Sequence, residues 1–479
     1  MINTFFGTKS LQFMDPVHGG IGALKHEVKC IDHALFQRLR FILQNDVAHY
    51  VFPGATQTRF NHSVGVMHVA GKFYRSLIDQ YIAECSPDFV ITSRHTEAIY
   101  YVYCCFRLAA LLHDTGHFPF SHEFESSRQV HTMLTSKDLL KDFWAESALY
   151  NKYASTRLAD PGFALDHADY SLACAYRIME SNRSVLPVEI DDVLALMENN
   201  SATFTDRWED SCVYLAEIFE GRSESLTNLP QKVRAEKLKS FFGLMISGEI
   251  DVDKMDYLLR DSYFSGTKYG IYNQDHLLST LRVGYNKDTG WLGLAVLEKG
   301  VVALEDFVYS RFQIYQNVWS HKAVVGAKIR LADAISETMS KSDAQTHVNN
   351  ALRKVSAFAQ FTDHFFMEEF RKHAAANDNS ASSALLLRRK LHFLTRLQNP
   401  SADEIEETRV KLQRENATAT VVFRSVHIKF SKIPHRDFSQ IKVLWRGPDR
   451  KRELRAMDQR SDFFEKFTEK VICNFYAKH

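Results

Sequence analysis

Apolar residues recur at intervals of three and four along most of this chain, and that period constrains its fold more than any other feature. Clear cases are SVGVMHVAGKFYRSLIDQYI (63–82) and DYSLACAYRIM (169–179). On a helix of 3.6 residues per turn such residues fall on one buried stripe. From about Glu27 to Lys341 the pattern therefore predicts an all-helical core. One strand signal interrupts it: RVGYNKDTGWLGLAVL (282–297) has two β-prone runs around Asp288, Thr289 and Gly290, which predicts a hairpin.

The rest of the chain reads differently. Residues 341–383 form a helical connection ending in AAANDNSASS (374–383), a small, polar stretch suited to an exposed loop. Within 384–479, LLLRRKLHFL (385–394) reads as a basic helix, VHIKF (426–430) and IKVLW (441–445) as strands, and FFEKFTEKVICNFYAKH (463–479) as an amphipathic helix. The expected fold class is mainly α: a helical core over 1–340 with a small β-hairpin, then a smaller α+β C-terminal lobe with a regulatory or oligomerisation role.

Composition removes several classes. At 45% hydrophobic and 24% charged residues, the chain is neither disordered, collagenous nor a coiled coil throughout. A net charge of +1 gives no global attraction to nucleic acid or an anionic membrane, so a polyanionic ligand must be held by local cationic clusters. Seven cysteines without a CxxC pair read as thiols in a reducing compartment. MINTFFGTKS lacks a signal-peptide pattern, and Ala98–Leu112, the most apolar segment, is broken by Arg107 and shorter than the roughly 20 residues of a membrane span. The expectation is a cytoplasmic protein.

One stretch carries the chemistry. LLHDTGHFPFSH (111–122) places His113, Asp114, His117 and His122 after an apolar helix. A His-Asp dipeptide alone arises about once by chance in a chain of this length, and its plain reading is a histidine at the negative end of a helix dipole. Its company changes the odds. His62 opens a helical pattern upstream, and Asp251, Asp253, Asp256 and Asp261 crowd the start of another in GEIDVDKMDYLLRDS (248–262). Imidazoles and carboxylates from three helices make a mixed nitrogen and oxygen set, suited to Fe, Mn, Mg, Co or Ni.

RFNHSVGV (59–66), LLHDTGHFPFSH and DVDKMDYLLRD (251–261) together resemble the HD-domain deoxynucleoside triphosphate triphosphohydrolases, most of all the vertebrate branch that couples an HD domain to a SAM domain. The similarity runs from DPVHG at Asp15 through the hairpin to HKAVVG near His321, then faintly onward, and no SAM domain is expected in this chain.

The resemblance implies His62, His113, Asp114 and Asp253 as metal ligands, and attack of a metal-activated water on the α-phosphorus of a dNTP, releasing deoxynucleoside and triphosphate. It makes His122 the general acid, with His117 and His167 beside it. Glu125 stands where the family has an orienting aspartate. Arg59, Lys254 and Arg311 match phosphate contacts; Tyr257, Asp261 and Gln44 match sugar contacts. At Asn45 the family has an apolar side chain that crowds a ribose 2′ hydroxyl, and at Trp319 and Ser320 it has a Tyr-Gln pair at the base. dGTP is the family-level favourite. Asp32, Gln37 and Arg40 match an activator site where a guanine nucleotide lies between subunits, implying a homo-oligomer, dimer or tetramer. RGPDRKRELR (446–455) either completes that site or is a solvated basic loop or a weak contact for single-stranded nucleic acid. Two other readings stand beside this one: an HD phosphodiesterase or nuclease on oligonucleotides, and a non-catalytic nucleotide sensor.

Overall fold

The computed structural model describes residues 6–7, 10–86, 88–144, 162–198, 204–219, 226–428, 441–446, 452–459, 461, 463 and 470–478. The fold is mainly α, with small sheets at its margins. It opens with a hairpin that helical periodicity gave no hint of: β1 (Leu11–Asp15) pairs antiparallel with β2 (Gly19–Ala23), closing from Leu11↔Ala23 to Asp15↔Gly19. Asp15 Oδ1 accepts the N–H groups of Val17 and His18, both at 2.9 Å, and shapes the turn between the strands.

Two long helices form the heart of the core. α1 (Arg59–Glu84) and α2 (Ser93–Leu112) lie against each other, and α2 is buried along most of its length. Thr92 caps α2 by accepting from the His95 N–H. Arg107, the one charge in the apolar run, is satisfied inside the protein: its Nε and Nη2 donate to Glu27 at 2.6 and 2.8 Å, and its Nη2 donates to the Gly22 carbonyl at 3.0 Å. Such pairing is what allows a guanidinium to sit in a core. Further along come the single turn α3 (His122–Glu125), α4 (His167–Ser181) and α5 (Val252–Ser265).

The predicted hairpin is present as β3 (Leu281–Asn286) and β4 (Trp291–Leu297), closed by Gly290 at φ +66°. α6 (Val301–Ile314) then runs into a π-turn over Tyr315–Trp319, and α7 (Lys322–Met339) and α8 (Asp363–Ala376) follow.

Three expectations for the C-terminal third need correction. The stretch 374–383 is not one exposed loop: α8 runs through Ala376, the turn is confined to 377–380, and Ser380 caps the next helix, Ala381–Leu386, with Ser382 and Ser383 buried. LLLRRKLHFL is not a basic helix, because its residues from His392 belong to β5 (His392–Gln398). The C-terminus is not an amphipathic helix over its described part. β6 (Thr420–Ile428), β7 (Lys442–Arg446) and β8 (Arg452–Ala456) are followed by β9 (Lys470–Lys478), the middle strand of the sheet β5–β9–β6. Ile472 to Ala477 are buried in succession because β9 is paired on both edges and covered on both faces. With Asn474 the one polar residue between Ile472 and Ala477, this short run carries no period that tells strand from helix.

The hairpin also grows: β7 pairs parallel to β4, giving the order β3–β4–β7–β8. Half of RGPDRKRELR, residues 447–451, lies outside the described residues, and the rest falls on the end of β7 and on β8. All seven cysteines are unpaired, and Cys85 alone is more than slightly exposed. Among the described residues no helix is long and apolar enough to cross a membrane.

Candidate active site

Three helix ends converge on one site. His62 stands in the first turn of α1, His113 caps the C-terminus of α2 with Asp114 directly after it, and Asp253 lies in the first turn of α5. Asp251 caps α5, accepting from the Lys254 N–H at 2.8 Å. His62, His113 and Asp114 present ligand atoms within 4.8 Å of one another. Asp253 Oδ1 lies 3.0 Å from His62 Nε2 and 3.7 Å from His113 Nε2, so all four residues named from the motifs meet.

Both imidazoles turn their Nε2 atoms inward. His62 Nδ1 bonds Asp256 Oδ2 at 2.8 Å and His113 Nδ1 bonds the Ala110 carbonyl at 2.8 Å, while neither buried Nε2 has an aligned hydrogen-bond partner. A carboxylate or carbonyl on the outer nitrogen, with the inner one unsatisfied, is the arrangement of metal-binding histidines. The 3.0 Å contact between His62 and Asp253 is short but poorly aligned as a hydrogen bond. It matches the edge between two ligands at right angles on an ion with bonds of about 2.1 Å. The donor set thus fits a divalent cation.

The electrostatics agree. Burial alone lowers the His62 pKa, but the carboxylates of Asp253 and Asp256 beside it outweigh that and push it to about 10. Burial raises the Asp114 carboxyl, yet His113, His117 and Arg59 hold it well below the usual range. This excess of paired negative charge around two imidazoles is what a cation neutralises.

Behind the ligands lies a buried support that the motifs did not reveal. Asp256 accepts from His62, from His18 Nε2 at 2.6 Å, and from Arg260 Nε and Nη2 at 2.9 and 2.8 Å. Arg260 in turn reaches Asp15 at 2.7 Å, so the DPVHG turn between β1 and β2 ends against the far side of the site. Gly65 makes room for this, since a Cβ there would overlap Asp256 and Arg260. Asp256 was visible in the acidic cluster three residues after Asp253, one turn along α5, but its role depends on partners more than 190 residues away.

A second group flanks the first. His117 and His167 stack with centroids 4.0 Å apart, and His122 lies edge-on to both, at 5.3 and 5.0 Å. Glu125 joins them: its carboxylate meets His122 Nδ1 at 3.2 Å and His167 Nδ1 at 2.9 Å. With one methylene more than aspartate, it serves two imidazoles at once. His117 faces the ligands, its Nε2 3.4 Å from Asp114, and burial with the nearby Arg59 charge holds it well below an ordinary histidine. Burial lowers His167, but Glu125, with Asp114 and Asp166, more than offsets it and raises its pKa. Arg59 donates to Ser121 Oγ at 2.9 Å and to Asp114 at 2.5 Å, linking the two groups. Ser121 was not singled out by its sequence.

The remaining predicted residues lie around this centre, with local partners of their own. Tyr257 packs against His62 and Trp319, at 6.5 and 5.3 Å between ring centroids. Asp261 accepts from Gln57 at 2.8 Å, from Trp319 Nε1 at 3.1 Å and from Asn45, and burial raises its pKa to about 6. Gln44 Oε1 and Ser320 Oγ are buried without a hydrogen-bond partner among the described residues. Lys254 is paired with Asp251, and Arg311 donates to Glu249 at 3.0 Å. Asp32, Gln37 and Arg40 sit together at the surface, with Arg40 Nε on Gln37 at 2.7 Å and its guanidinium 3.5 Å over the Phe60 ring.

No family model matches the chain. It is 27% identical over 372 residues to the deoxynucleoside triphosphate triphosphohydrolase SAMHD1 of Bos taurus, covering 74% of this chain and 53% of that protein. It is 26% identical over 356 residues to the uncharacterized protein MJ1154 of Methanocaldococcus jannaschii, covering 74% and 56%. The chain spans about half the length of the curated relatives it matches. A solved structure of a hypothetical protein from Aquifex aeolicus superposes with a TM-score of 0.60 at 24% identity, over 98% of this chain and 96% of that one, and so shares the fold. The resemblance carried by the motifs thus extends over most of the chain, which is similar in sequence to the HD-domain deoxynucleoside triphosphate triphosphohydrolases.

Proposed function

We propose that the chain is a metal-dependent hydrolase of deoxynucleoside triphosphates, releasing deoxynucleoside and inorganic triphosphate. The observation that carries the reading is the meeting of two unpartnered imidazole nitrogens with the Asp114 and Asp253 carboxylates, beside a histidine pair held by one glutamate. His62, His113, Asp114 and Asp253 would hold the ion, one of Mn, Fe, Mg, Co or Ni. When bound, a divalent ion supplies acidity to the attacking water and positive charge to the α-phosphate.

The chain's own groups do the rest. A water oxygen bonds to the α-phosphorus while the bond to the 5′ oxygen breaks; the departing oxygen takes its proton from the His122 imidazolium, and the proton the water gives up passes to solvent, from which His122 is reprotonated. Glu125 holds His122 and His167 through their Nδ1 atoms, which leaves each Nε2 as the edge that gives or takes a proton. Arg59, Lys254 and Arg311 receive the phosphates, the latter two by exchanging a carboxylate partner for a phosphate oxygen. Tyr257, Asp261, Gln44 and Asn45 meet the sugar, and Trp319 and Ser320 lie towards the base, with dGTP favoured by resemblance. Asp32, Gln37 and Arg40 would take an activating nucleotide between subunits of a homo-oligomer.

One observation favours a second reading. Lys254 and Arg311 already have resident counter-charges, which suits a ligand with fewer negative charges than a triphosphate, such as a phosphodiester. The test is incubation with each dNTP, alone and in pairs, with Mn or Mg. Inorganic triphosphate is the expected product. Pyrophosphate with a monophosphate refutes cleavage of the bond to the 5′ oxygen, and mononucleotides released from single-stranded DNA with no triphosphate from any dNTP favour the second reading.

A further inference from the structure

Two segments that carry site residues lie largely outside regular helices. Residues 42–46 include Gln44 and Asn45; residues 120–123 include Ser121, which anchors Arg59, and His122 at the start of the single turn α3. Three of their residues, Asp46, Phe120 and Ser121, stand at φ of 46°, 52° and 51°. Non-glycine residues persist there only where the surroundings hold them.

Two side chains hold both segments together. The Asp363 carboxylate, buried at the start of α8, accepts the Leu43 N–H with one oxygen and the Phe120 N–H with the other, each at 2.9 Å. Lys328 of α7 places its ammonium 3.0 Å from Asp46 and 3.4 Å from Glu123. The sugar-side segment and the acid-side segment are thus cross-linked twice, once by a buried carboxyl group and once by an ammonium.

Glu123 has one more partner, and it comes from the C-terminal sheet. Arg424 of β6 donates from both terminal nitrogens to the two carboxylate oxygens, at 2.8 Å each, while the Glu123 side chain is only 2% exposed. A bidentate guanidinium–carboxylate pair fixes direction as well as distance. Charge is balanced in this cluster, with Asp46 and Glu123 against Lys328 and Arg424. Without Arg424 the buried Glu123, directly beside His122, must share one ammonium with Asp46, a poorly compensated arrangement.

We propose that Arg424 is a positioning residue for the active site: through Glu123 and Lys328 the C-terminal sheet sets the placement of the segment bearing His122 and the segment bearing Asn45 as one unit. The catalytic consequence rests on the proposed function, whereas the mechanical link does not. A role confined to anchoring the sheet would leave both segments as they are.

The full-length protein and its Arg424→Gln and Arg424→Lys variants test this by two readouts. Hydrogen exchange read by mass spectrometry should rise at least fivefold in Arg424→Gln for peptides covering both 42–46 and 118–126, with the α1 peptides around His62 unchanged. Arg424→Lys, which keeps the charge but not the fork, should fall between that variant and the wild type. In dNTP hydrolysis kcat should drop at least tenfold in Arg424→Gln while KM and bound Mn stay within twofold. Unchanged exchange, or a rise confined to β6 and its sheet, overturns the proposal whether or not the protein hydrolyses dNTPs. If triphosphate is produced and kcat holds within twofold, the catalytic part fails while the proposed function stands. If both segments loosen but no dNTP is cut by any of the three proteins, the link stands and the proposed function fails.

Discussion

Replacing Asp256 by asparagine tests whether the support behind His62 exists to serve a metal. Asp256 keeps the shape of its pocket in the variant but loses its charge, and with it four charge-assisted contacts: His62 at 2.8 Å, His18 at 2.6 Å and the two Arg260 nitrogens at 2.9 and 2.8 Å. Every partner is a donor, whereas an amide offers one acceptor atom and turns an N–H towards at least one of them. Breaking a buried ion pair on one side costs about 3–5 kcal/mol. Arg260 retains Asp15 at 2.7 Å, which places the expected loss near 3 kcal/mol. Metal affinity should fall separately. Loss of the outer partner of a ligating histidine typically weakens binding about 10–100-fold, because the imidazole is no longer fixed with its Nδ1 protonated and its Nε2 lone pair inward. Urea unfolding in chelator reads the first effect. Equilibrium dialysis against Mn, at urea-free conditions where the variant is folded, reads the second. A folded variant that binds Mn within threefold of the wild type refutes the assignment of His62 and Asp256 as a ligand and its support.

Four further outcomes follow from the same geometry. Gly65→Ala, which in an exposed helix would add about 1 kcal/mol of stability, should instead destabilise the protein and reduce bound Mn, because the new methyl overlaps Asp256 and Arg260; a gain in melting temperature with full metal content contradicts this. The raised His62 pKa of about 10 means that a proton competes with the ion through the neutral range, so Mn affinity should climb by up to roughly tenfold per pH unit from pH 6 to 8, and a flat profile is the contrary result. In chelator the sign reverses: protonated His62 contributes stability that is complete below about pH 6.5 and is lost as pH rises towards 10, visible as a falling urea midpoint. Glu249→Gln, which removes the resident anion from Arg311, should lower KM for a dNTP several-fold with kcat maintained; an unchanged KM shows that Arg311 does not meet the substrate.

What the sequence conveyed about this site divides along physical lines. The helices bearing His62 and His113 are long and periodic, and both histidines sit at their ends, so the resemblance could name His62, His113, Asp114 and Asp253 as candidates, and the fold brings the four together. Residues that complete the site by long-range pairing escaped. His18 and Asp15 lie in a hairpin too short for a period, and they act on the site only through Asp256 and Arg260, some 240 residues on. β9 escaped for the related reason that a strand buried on both faces has no alternation to read.

The same division explains what the sequence leaves out about the cations of the site. Arg59, Lys254 and Arg311 match phosphate contacts by resemblance, and in the fold each already grips a carboxylate: Asp114, Asp251 and Glu249. A buried guanidinium or ammonium left alone would be too costly to keep, so the chain supplies its own anions. Ligand binding at such a site is an exchange of partners, and its strength depends on how much better a phosphate oxygen satisfies each cation than the carboxylate it displaces. Arg59 is the informative case, because its resident partner is itself a candidate metal ligand. A cation that draws on the Asp114 charge weakens its hold on Arg59 and leaves the guanidinium readier for phosphate. Metal and anion binding should therefore be cooperative, and inorganic triphosphate should bind more tightly with Mn present than in chelator. In Arg59→Lys, which cannot hold Ser121 and Asp114 through two separate nitrogens of one rigid fork, that difference should shrink; an undiminished difference would locate the coupling elsewhere.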